Sequence, residues 1–232
     1  MHRFFAASAG RIAGEEARHL FRVLRLAPGD EIEVLLGGRR YLARLISAAK
    51  EEALYEPLVE LPSREPACRV TLYQGLCKGE RMDFIAQKCT EMGIFRIVPV
   101  LMARSEAKFE GAAKLERLRR IAAEAVKQCG RSLVPEIAEP LPFSRALSSM
   151  GVHKALLMPY EGGGAPPAAP IPQDVGLLIG PEGGIAPEEA AAIGGIGGRA
   201  LTLGPRVLRA ETAGLVALSL TLFLAGALEA CP

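Results

Sequence analysis

The chain has 232 residues, of which 50% are hydrophobic and none is Trp, so an intrinsically disordered protein is excluded and one large or two small packed domains are expected. The net charge of +2 excludes a uniformly basic or acidic surface. The charge is nevertheless uneven, because residues 67–131 hold 13 Lys and Arg against 7 Asp and Glu, whereas residues 132–232 hold 5 against 9. A basic middle region indicates either a negatively charged partner such as nucleic acid or a solvated helix face, and charge alone leaves both open.

The cysteines are scattered and form no C-x-x-C pair, which argues against a structural zinc site and against a disulfide scaffold. We therefore expect no bound metal and a reducing, cytoplasmic environment. The N-terminal segment MHRFFAASAG lacks the apolar core of a signal peptide.

The N-terminal part is predicted to form a small, mainly β domain with one helix. EEARHLFRVLRL (15–26) has the apolar spacing of a helix, and APGD (27–30) is typical of a turn. Three predicted strands follow, and Gly37-Gly38 between the first two is a two-residue hairpin signal. The strands are DEIEVLL, RRYLARLI and ALYEPLVEL. LPSREPA (61–67) predicts a linker, which gives domains of residues 1–66 and 67–232.

From Cys68 onward predicted strands and helices alternate, which is the pattern of an α/β domain. The strands RVTLYQGL and FRIVPVL flank a predicted helix, GERMDFIAQKCTEMG, and residues 111–129 form a long basic helix that ends at Gly130. Three short apolar strands follow: KALLMP (154–159), VGLLIG (175–180) and RALTLG (199–204). Continuous apolar strands are typical of a parallel sheet that is covered by helices on both faces.

Two further segments have an unusual composition. Residues 213–228 carry no charge, but the segment is shorter than the roughly 18–20 residues that span a bilayer. We expect a helix buried in a core or in a dimer interface, and no membrane association. YEGGGAPPAAPIPQD (160–174) is too rich in Gly and Pro for regular structure, and is either a disordered insertion or a functional lid.

LLIGPEGGIAPEEAAAI (177–193) predicts a strand, a tight glycine loop and a helix that starts at Pro187. A glycine loop before a helix is typical of phosphate binding, but Glu182 would repel a phosphate there. The dinucleotide and P-loop fingerprints are also absent from the sequence. We expect a ligand that is uncharged or positive near this loop, held where the carboxyl ends of neighbouring strands meet. The alternative is that Glu182 points away or caps a neighbouring helix.

LGPRVLRAETA (203–213) is the other segment in which several candidate functional residues lie close together. Arg206 and Arg209 precede Glu211 at the predicted start of the last helix. One interpretation has Glu211 serve the helix N-terminus while the arginines lie on the surface. The other has an arginine stabilise developing negative charge beside a group that positions the substrate.

Arg18, Arg22 and Arg25 are spaced i, i+4 and i+7, which predicts one basic face on the N-terminal helix. Such a stripe suits a phosphate backbone, although a solvated amphipathic face is the alternative. The long basic helix and the residues after it add Lys114, Arg117, Arg120, Lys127 and Arg131.

Four segments resemble the signature blocks of the bacterial ribosomal RNA small-subunit methyltransferase E family: LLIGPEGG, LTLGPRVLRAETA, QKCTEMGIFRIVPV and EAVKQCGRSLVP. GPEGG together with LG-x-R-x-LR-x-ETA is highly specific, and the resemblance covers nearly the whole chain, including HRFF and HLFRVLRLAPGDEIEV. The Gly/Pro-rich stretch after Tyr160 is the departure from the family pattern. Family members methylate N3 of one uridine in small-subunit ribosomal RNA with S-adenosylmethionine.

The resemblance implies a fold and site residues that the patterns do not. Residues 1–66 would be a PUA-like β-barrel that binds RNA, and residues 67–232 a knotted α/β domain of the SPOUT superfamily that forms a homodimer. The donor pocket implied by the family motifs comprises Leu156, Met158, Pro159, Ile179, Gly180, Leu201, Leu203, Gly204, Val207 and Leu208, with Glu182 and Gly183 added from the GPEGG loop. The residues expected to contact RNA are Arg3, Arg18, Arg22, Arg25, Lys88 and Arg131.

The chemistry of the implied reaction assigns the catalytic roles. Uridine N3 carries a proton and is a poor nucleophile until that proton is lost, so positioning and electrostatic stabilisation of the uridine anion supply most of the rate gain. Arg209 is predicted to face the anion, Glu211 to orient the base or accept the proton, and Thr212 to complete the catalytic set. The expected partner is small-subunit ribosomal RNA, free or in the assembled subunit. Two alternatives remain: a ribose 2′-O-methyltransferase on the same scaffold, and a non-catalytic RNA-binding or ribosome-assembly protein.

Overall fold

The computed structural model describes residues 1–107 and 111–228, and the chain divides into two compact units. Among the described residues, unit 1 contains Met1–Glu65 and Val126–Val134, and unit 2 contains Pro66–Ala125 and residues 135–228. The sequence prediction assigned all of residues 67–232 to the second domain. The structure differs from it at residues 126–134, which pack within unit 1.

Unit 1 is built on a curled five-stranded sheet with the strand order β1-β3-β4-β5-β2. Its strands are β1 (Arg3–Phe5), β2 (Arg11–Ala13), β3 (Glu31–Leu36), β4 (Arg39–Ala48) and β5 (Glu52–Leu61). β1 pairs with β3 in parallel, and the other neighbours are antiparallel. Gly37 and Gly38 form the predicted hairpin between β3 and β4, with φ angles of 59° and 77° that a type I′ turn requires.

One face of this sheet forms the apolar core of unit 1. Ile32 and Val34 alternate along β3, and both pack in a cluster with Phe4 and Leu20. Every second side chain of a strand lies on the same face, so Ile32 and Val34 share the apolar face of β3.

The N-terminal helix is shorter than its sequence pattern predicts. Helix α1 (Glu15–Arg18) continues into one widened π-helical turn over His19–Val23 and ends there. Arg25 has a φ of 53° and lies outside the helix. The prediction that Arg18, Arg22 and Arg25 share one face of a regular helix is therefore wrong. All three side chains are exposed, but Arg18 is held in a surface ion pair.

The opposite face of β3 holds a buried ionic cluster. Glu33 accepts hydrogen bonds from Arg40 Nε at 2.6 Å and from Arg3 Nε at 2.9 Å. Arg40 is also buried, and its guanidinium donates to the carbonyl of Pro62 at 2.8 Å. Burial raises the pKa of Glu33, but the hydrogen bonds from both arginines outweigh burial and hold that pKa below its ordinary value. Arg3, an expected RNA contact, is thus engaged within unit 1.

We expect Glu33→Gln to lower the free energy of unfolding by about 3–5 kcal/mol, because it leaves the buried Arg40 charge unpaired. The contribution of Glu33 is complete above its unfolded-state pKa and is lost as the pH falls through its lower folded-state pKa. Urea unfolding from neutral into acidic pH measures both effects, and the variant is expected to show a weaker acid dependence. Glu60→Gln, which opens an exposed pair with Arg39, is the control and is expected to cost less than about 1 kcal/mol. Equal costs for the two variants would contradict the role of Glu33.

Residues 126–134 are anchored in unit 1 by two carboxylates. Glu65 accepts from Arg131 at 2.6 Å and from the backbone N–H groups of the next two residues, the first at 2.8 Å. Burial raises the pKa of Glu65, but the hydrogen bonds from Arg131 outweigh it and the pKa lies below its ordinary value. Glu16 binds Lys127 Nζ at 2.8 Å. The Arg131 side chain is only 6% exposed, which contradicts its predicted contact with RNA.

Unit 2 contains the predicted α/β fold with a parallel sheet. The strand order is β12-β10-β11-β6-β7-β8, with β9 also on β7, and every pair is parallel. The strands are β6 (Arg69–Gly75), β7 (Arg96–Leu101), β8 (Glu136–Ile137), β9 (Leu141–Pro142), β10 (Ala155–Pro159), β11 (Asp174–Ile179) and β12 (Arg199–Leu201). The helices are α2 (Arg81–Met92), α3 (Gly111–Cys129), α4 (Phe143–Met150), α5 (Pro187–Gly195) and α6 (Ala210–Leu224). The end of α3, from Val126, belongs to unit 1.

Apolar side chains cover both faces of the parallel sheet. Leu72 and Leu177 pack in one cluster with residues of α2, α3 and α6. Tyr73 and Leu178, the next residues of the same strands, pack in a second cluster with residues of α4 and α5. This two-sided burial is the reason that the strands appear in the sequence as continuous apolar runs.

Helix α6 carries most of the uncharged segment 213–228. Its buried side includes Leu218 and Leu222, whereas Phe223 is 67% exposed. Within residues 1–107 and 111–228, no helix is both long enough and apolar enough to cross a membrane.

The Gly/Pro-rich segment 160–174 runs along the edge strand β12. Ala165 forms a parallel bridge with Leu201, and a Cβ on Gly164 would lie 2.7 Å from backbone atoms of β12. Ile171 is buried, so the far end of the segment is anchored in the core. These contacts favour an ordered segment over a disordered insertion.

Candidate functional site

A cavity of about 870 Å³ lies at the carboxyl ends of β10, β11 and β12, where ligands bind in parallel α/β sheets. Its walls are the loops that follow these three strands and the start of α6. The β10 loop contributes Pro159 to Gly163, the β11 loop Ile179 to Glu182 with Gly184, Ile185 and Pro187, and the β12 loop Thr202 to Arg209; Ala210, Glu211, Ala213, Arg81 and Arg104 complete the lining.

Glycines allow the loop after β11 to fold tightly beside the cavity. A Cβ on Gly180 would lie 2.8 Å from the side chain of Ile185, so only glycine fits there without a shift. Gly184 has a φ of 75°, and its N–H donates to the carbonyl of Pro181 at 2.9 Å. Helix α5 then starts at Pro187, as the sequence predicts. The GPEGG segment is therefore a compact turn.

The carboxylate of Glu182 is not a free charge, because it is bound by groups outside this turn. Its carboxylate accepts the backbone N–H of Lys78 at 2.8 Å and binds the guanidinium of Arg81, both just before or at the start of α2. Burial raises the pKa of Glu182, but these hydrogen bonds outweigh it and the pKa lies below its ordinary value. Of the two alternatives for Glu182, the structure therefore shows the one in which it serves a neighbouring helix. Its charge is balanced by Arg81.

Arg81 also approaches the second carboxylate of the site. Its Nε lies 3.6 Å from Glu211 Oε2, so Arg81 stands between Glu182 and Glu211. The Glu211 side chain is 14% exposed, and its Oε2 is buried and makes no hydrogen bond to any described residue. A buried carboxylate oxygen in this state has the capacity to accept a hydrogen bond from a ligand.

The end of β6 lies directly behind the β11 loop. A Cβ on Gly75 would lie 2.4 Å from the backbone N of Pro181, so the two chain segments touch through their backbones. The Gln74 side-chain amide donates to the carbonyls of Gly75 at 3.1 Å and of Gly180 at 3.5 Å. The position of the GPEGG turn is thus set by β6, far away in the sequence.

Cys77 lies in the same region but is not a nucleophile. Burial, followed by the charges of Glu182 and Glu211, raises the pKa of its thiol to about 12. The thiol therefore stays protonated at neutral pH.

The structure brings most of the predicted donor-site residues to the cavity. Those that line it are Pro159, Ile179, Gly180, Glu182, Leu203, Gly204, Val207 and Leu208. Leu156, Met158 and Leu201 are instead buried in the strands behind it, and Gly183 lies in the turn between two lining residues. Of the predicted catalytic set, Arg209 and Glu211 line the cavity, whereas Thr212 lines a neighbouring cleft.

Sequence reasoning missed several residues of the cavity. Arg81 and Arg104 come from segments distant in the sequence, and Arg104 donates to the carbonyl of Gly183 at 3.3 Å. Tyr160 and Thr202 directly follow the ends of β10 and β12, so a search of every strand end would have found them. Lys88, predicted to contact RNA, pairs with Glu91 on α2 at 2.8 Å. Across the described part of the chain, no group of three or more His, Cys, Asp or Glu side chains forms a candidate metal site.

Two models of known protein families match the chain. Residues 63–222 match the family model described as an RNA methyltransferase domain. Residues 12–58 match the model described as an RNA methyltransferase PUA domain.

Curated relatives and a solved structure resemble nearly the full chain. A Bacillus subtilis protein named ribosomal RNA small subunit methyltransferase E is 33% identical over 90% of this chain and 87% of its own length. A protein of the same name from Aquifex aeolicus is 32% identical over 85% of this chain and 87% of its own length. The crystal structure of a ribosomal RNA small subunit methyltransferase E from Neisseria gonorrhoeae, bound to S-adenosyl methionine, has a TM-score of 0.83 at 33% identity and covers 94% of this chain and 96% of that chain.

Proposed function

The chain belongs to the ribosomal RNA small subunit methyltransferase E family, and on that premise we propose that it transfers a methyl group from S-adenosylmethionine to N3 of a uridine in small-subunit ribosomal RNA. The observation that carries the proposal is the cavity at the carboxyl ends of β10, β11 and β12, with Arg209 and Glu211 in its wall.

The lining of the cavity fits S-adenosylmethionine. Its volume of about 870 Å³ lies within the range of small-molecule sites, and Ile179, Leu203 and Leu208 offer apolar surface for an adenine ring. Gly180 and Gly204 leave the loop backbone open to close approach by polar groups of the donor. These residues, together with Pro159 and Val207 at the edges, would hold the donor.

The two carboxylates that the sequence singled out in the cavity have different roles toward a ligand that carries a sulfonium cation. Glu182 acts indirectly, because its charge is balanced by Arg81 and it fixes the GPEGG turn to the start of α2. Glu211 is the carboxylate with an oxygen that no hydrogen bond of the described residues satisfies.

When bound, S-adenosylmethionine supplies an electrophilic methyl group. The chain has to hold uridine N3 in line with that group and favour loss of the N3 proton. Glu211 accepts this proton or orients the base through it. Arg209, which precedes the first residue of α6, stabilises the negative charge that spreads to the uracil carbonyls, and the positive end of the helix adds to its effect.

Unit 1 binds ribosomal RNA in this proposal, either free or in the assembled subunit. Arg22 and Arg25 are the exposed candidates, with Arg18 beside them in its surface ion pair. The proposal also includes a homodimer, a knotted backbone and a cytoplasmic location. The exposed Phe223 on the apolar α6 supports the dimer.

We expect that incubation of unmethylated small ribosomal subunits with the protein and S-adenosylmethionine yields 3-methyluridine. Digestion of the RNA and mass spectrometry of its nucleosides measure the product. A 2′-O-methylated nucleoside would identify the ribose methyltransferase alternative instead. Absence of any methylated product, together with no binding of S-adenosylmethionine by calorimetry, would identify a non-catalytic RNA-binding protein.

A further inference from the structure

A second cleft of about 780 Å³ adjoins the donor cavity in unit 2. Arg81, Arg209 and Glu211 belong to the walls of both spaces, so these three side chains form a partition between them. The other residues of the cleft come from the start of α2 and the first turn of α6. A group bound in the cleft is therefore adjacent to a group bound in the cavity, which is the arrangement that transfer between two substrates requires.

The cleft presents an aromatic ring among basic and polar groups. Phe84, in the first turn of α2, is 42% exposed although it is a large apolar side chain. Arg209 is an exposed cationic side chain in the same wall, and Thr212 adds an exposed hydroxyl. The wall also contains Lys78, which pairs with Glu106, and the acidic Glu80. An aromatic ring flanked by cations is typical of sites where a nucleobase stacks and its phosphate is neutralised.

The partition supplies an acceptor that matches an imide N–H. Glu211 Oε2 is buried, lies 3.6 Å from Arg81 Nε and has no hydrogen-bond donor among the described residues. The uracil base of a uridine, which is bonded to ribose at N1, carries one N–H donor, at N3, between two carbonyl acceptors. Bound with N3 towards Glu211, uracil would satisfy this oxygen and would place a carbonyl within reach of the Arg209 or Thr212 side chain.

We propose that this second cleft is the binding site of the target nucleotide, in which Phe84 stacks on the uracil ring and Glu211 accepts the N3–H. The assignment rests on the proposed function for the identity of the base. It makes Phe84 a substrate-binding residue outside the donor cavity, whereas the hydrogen bond to Glu211 distinguishes the base. It also explains why Thr212 faces the cleft and not the cavity.

Phe84→Leu tests the stacking contact. A lost base–aromatic contact is expected to weaken binding of a small-subunit ribosomal RNA fragment about 10-fold or more, measured by fluorescence anisotropy without cofactor. With unmethylated small subunits, KM for the RNA substrate rises by a similar factor, whereas calorimetry gives an unchanged Kd for S-adenosylmethionine. Phe84→Tyr keeps the stacking ring and restores both RNA measurements.

Phe95→Leu is the matched control. Phe95 is also 42% exposed in unit 2. It directly precedes β7, at the amino ends of the strands and away from the cavity, and the Arg69 guanidinium lies over its ring at 5.2 Å. Its replacement is expected to leave RNA affinity and KM unchanged.

Three outcomes would overturn the proposal that the second cleft binds the target nucleotide. One is RNA affinity for Phe84→Leu equal to that of the parent protein, and another is a loss that Phe95→Leu reproduces. The third is a lower sedimentation mass of Phe84→Leu with unchanged KM, which would show that a second copy of the chain covers the cleft. Because the anisotropy measurement needs no methylation, a parent protein that forms no 3-methyluridine refutes the proposed function without deciding the nucleotide site.

Discussion

Arg209→Ala is expected to lower kcat for methyl transfer about 100- to 1000-fold at saturating S-adenosylmethionine. Arg209 lies in the partition between the donor cavity and the second cleft, where negative charge develops on the uracil carbonyls in the proposed reaction. Removal of one donor that stabilises such a charge typically costs this factor. Single-turnover methylation of unmethylated small subunits measures the rate, and calorimetry measures the Kd of the cofactor, which is expected to change little.

Arg206→Ala provides the comparison for this variant. Arg206 is also exposed and lines the donor cavity three positions earlier, but it does not line the second cleft. We expect its replacement to change kcat only a few-fold. If kcat falls by the same factor in both variants, the loss reflects the positive charge of the loop, and the specific role of Arg209 is contradicted.

Gly75→Ala is expected to have the largest effect on stability in unit 2. A Cβ at this position would lie 2.4 Å from the backbone N of Pro181 and 2.8 Å from the carbonyl carbon of Gly180. Neither backbone can move without displacing the GPEGG turn. Overpacking typically lowers the free energy of unfolding by roughly 1–3 kcal/mol, and we expect a loss at or above the upper end of this range. Thermal unfolding measures the loss, and calorimetry is expected to show a much weaker affinity for S-adenosylmethionine.

The control for this prediction is Gly194→Ala. Gly194 lies in α5, and a Cβ added there would have no neighbouring atom within 4 Å, so its substitution is expected to raise stability by up to about 1 kcal/mol. A Gly75→Ala protein as stable as the parent would show that the β11 loop can shift at little cost.

The periodic features of the sequence were sufficient for the fold class. The Gly37-Gly38 hairpin and the apolar strands of unit 2 appear where the sequence predicts them, because a two-residue glycine turn and burial on both faces each leave a local pattern. The β12 loop was also predictable as a binding segment, since it follows a strand end in an α/β sheet.

Two of the failures share a physical cause, which is that the missing information is not local. The partner of Glu182 is Arg81, about a hundred positions earlier in the sequence, and no periodicity connects the two. Arg131 ends a basic stretch of the sequence that is typical of an exposed surface, but its side chain is buried against Glu65. For Arg25 the cause is local but subtle: the π-helical turn at His19–Val23 changes the spacing, and a positive φ ends the helix.

The assignment of Val126–Val134 to unit 1 has a consequence for the order in which the protein is made. A chain leaving the ribosome presents Glu65 and Glu16 long before Arg131 and Lys127, the cations that these carboxylates bind, have been synthesised. The N-terminal unit therefore cannot reach its final form while it is the only part of the chain outside the exit tunnel. Completion of unit 1 requires residues 126–134, which are synthesised after β6, β7 and most of α3. The unit whose synthesis starts first is therefore completed late.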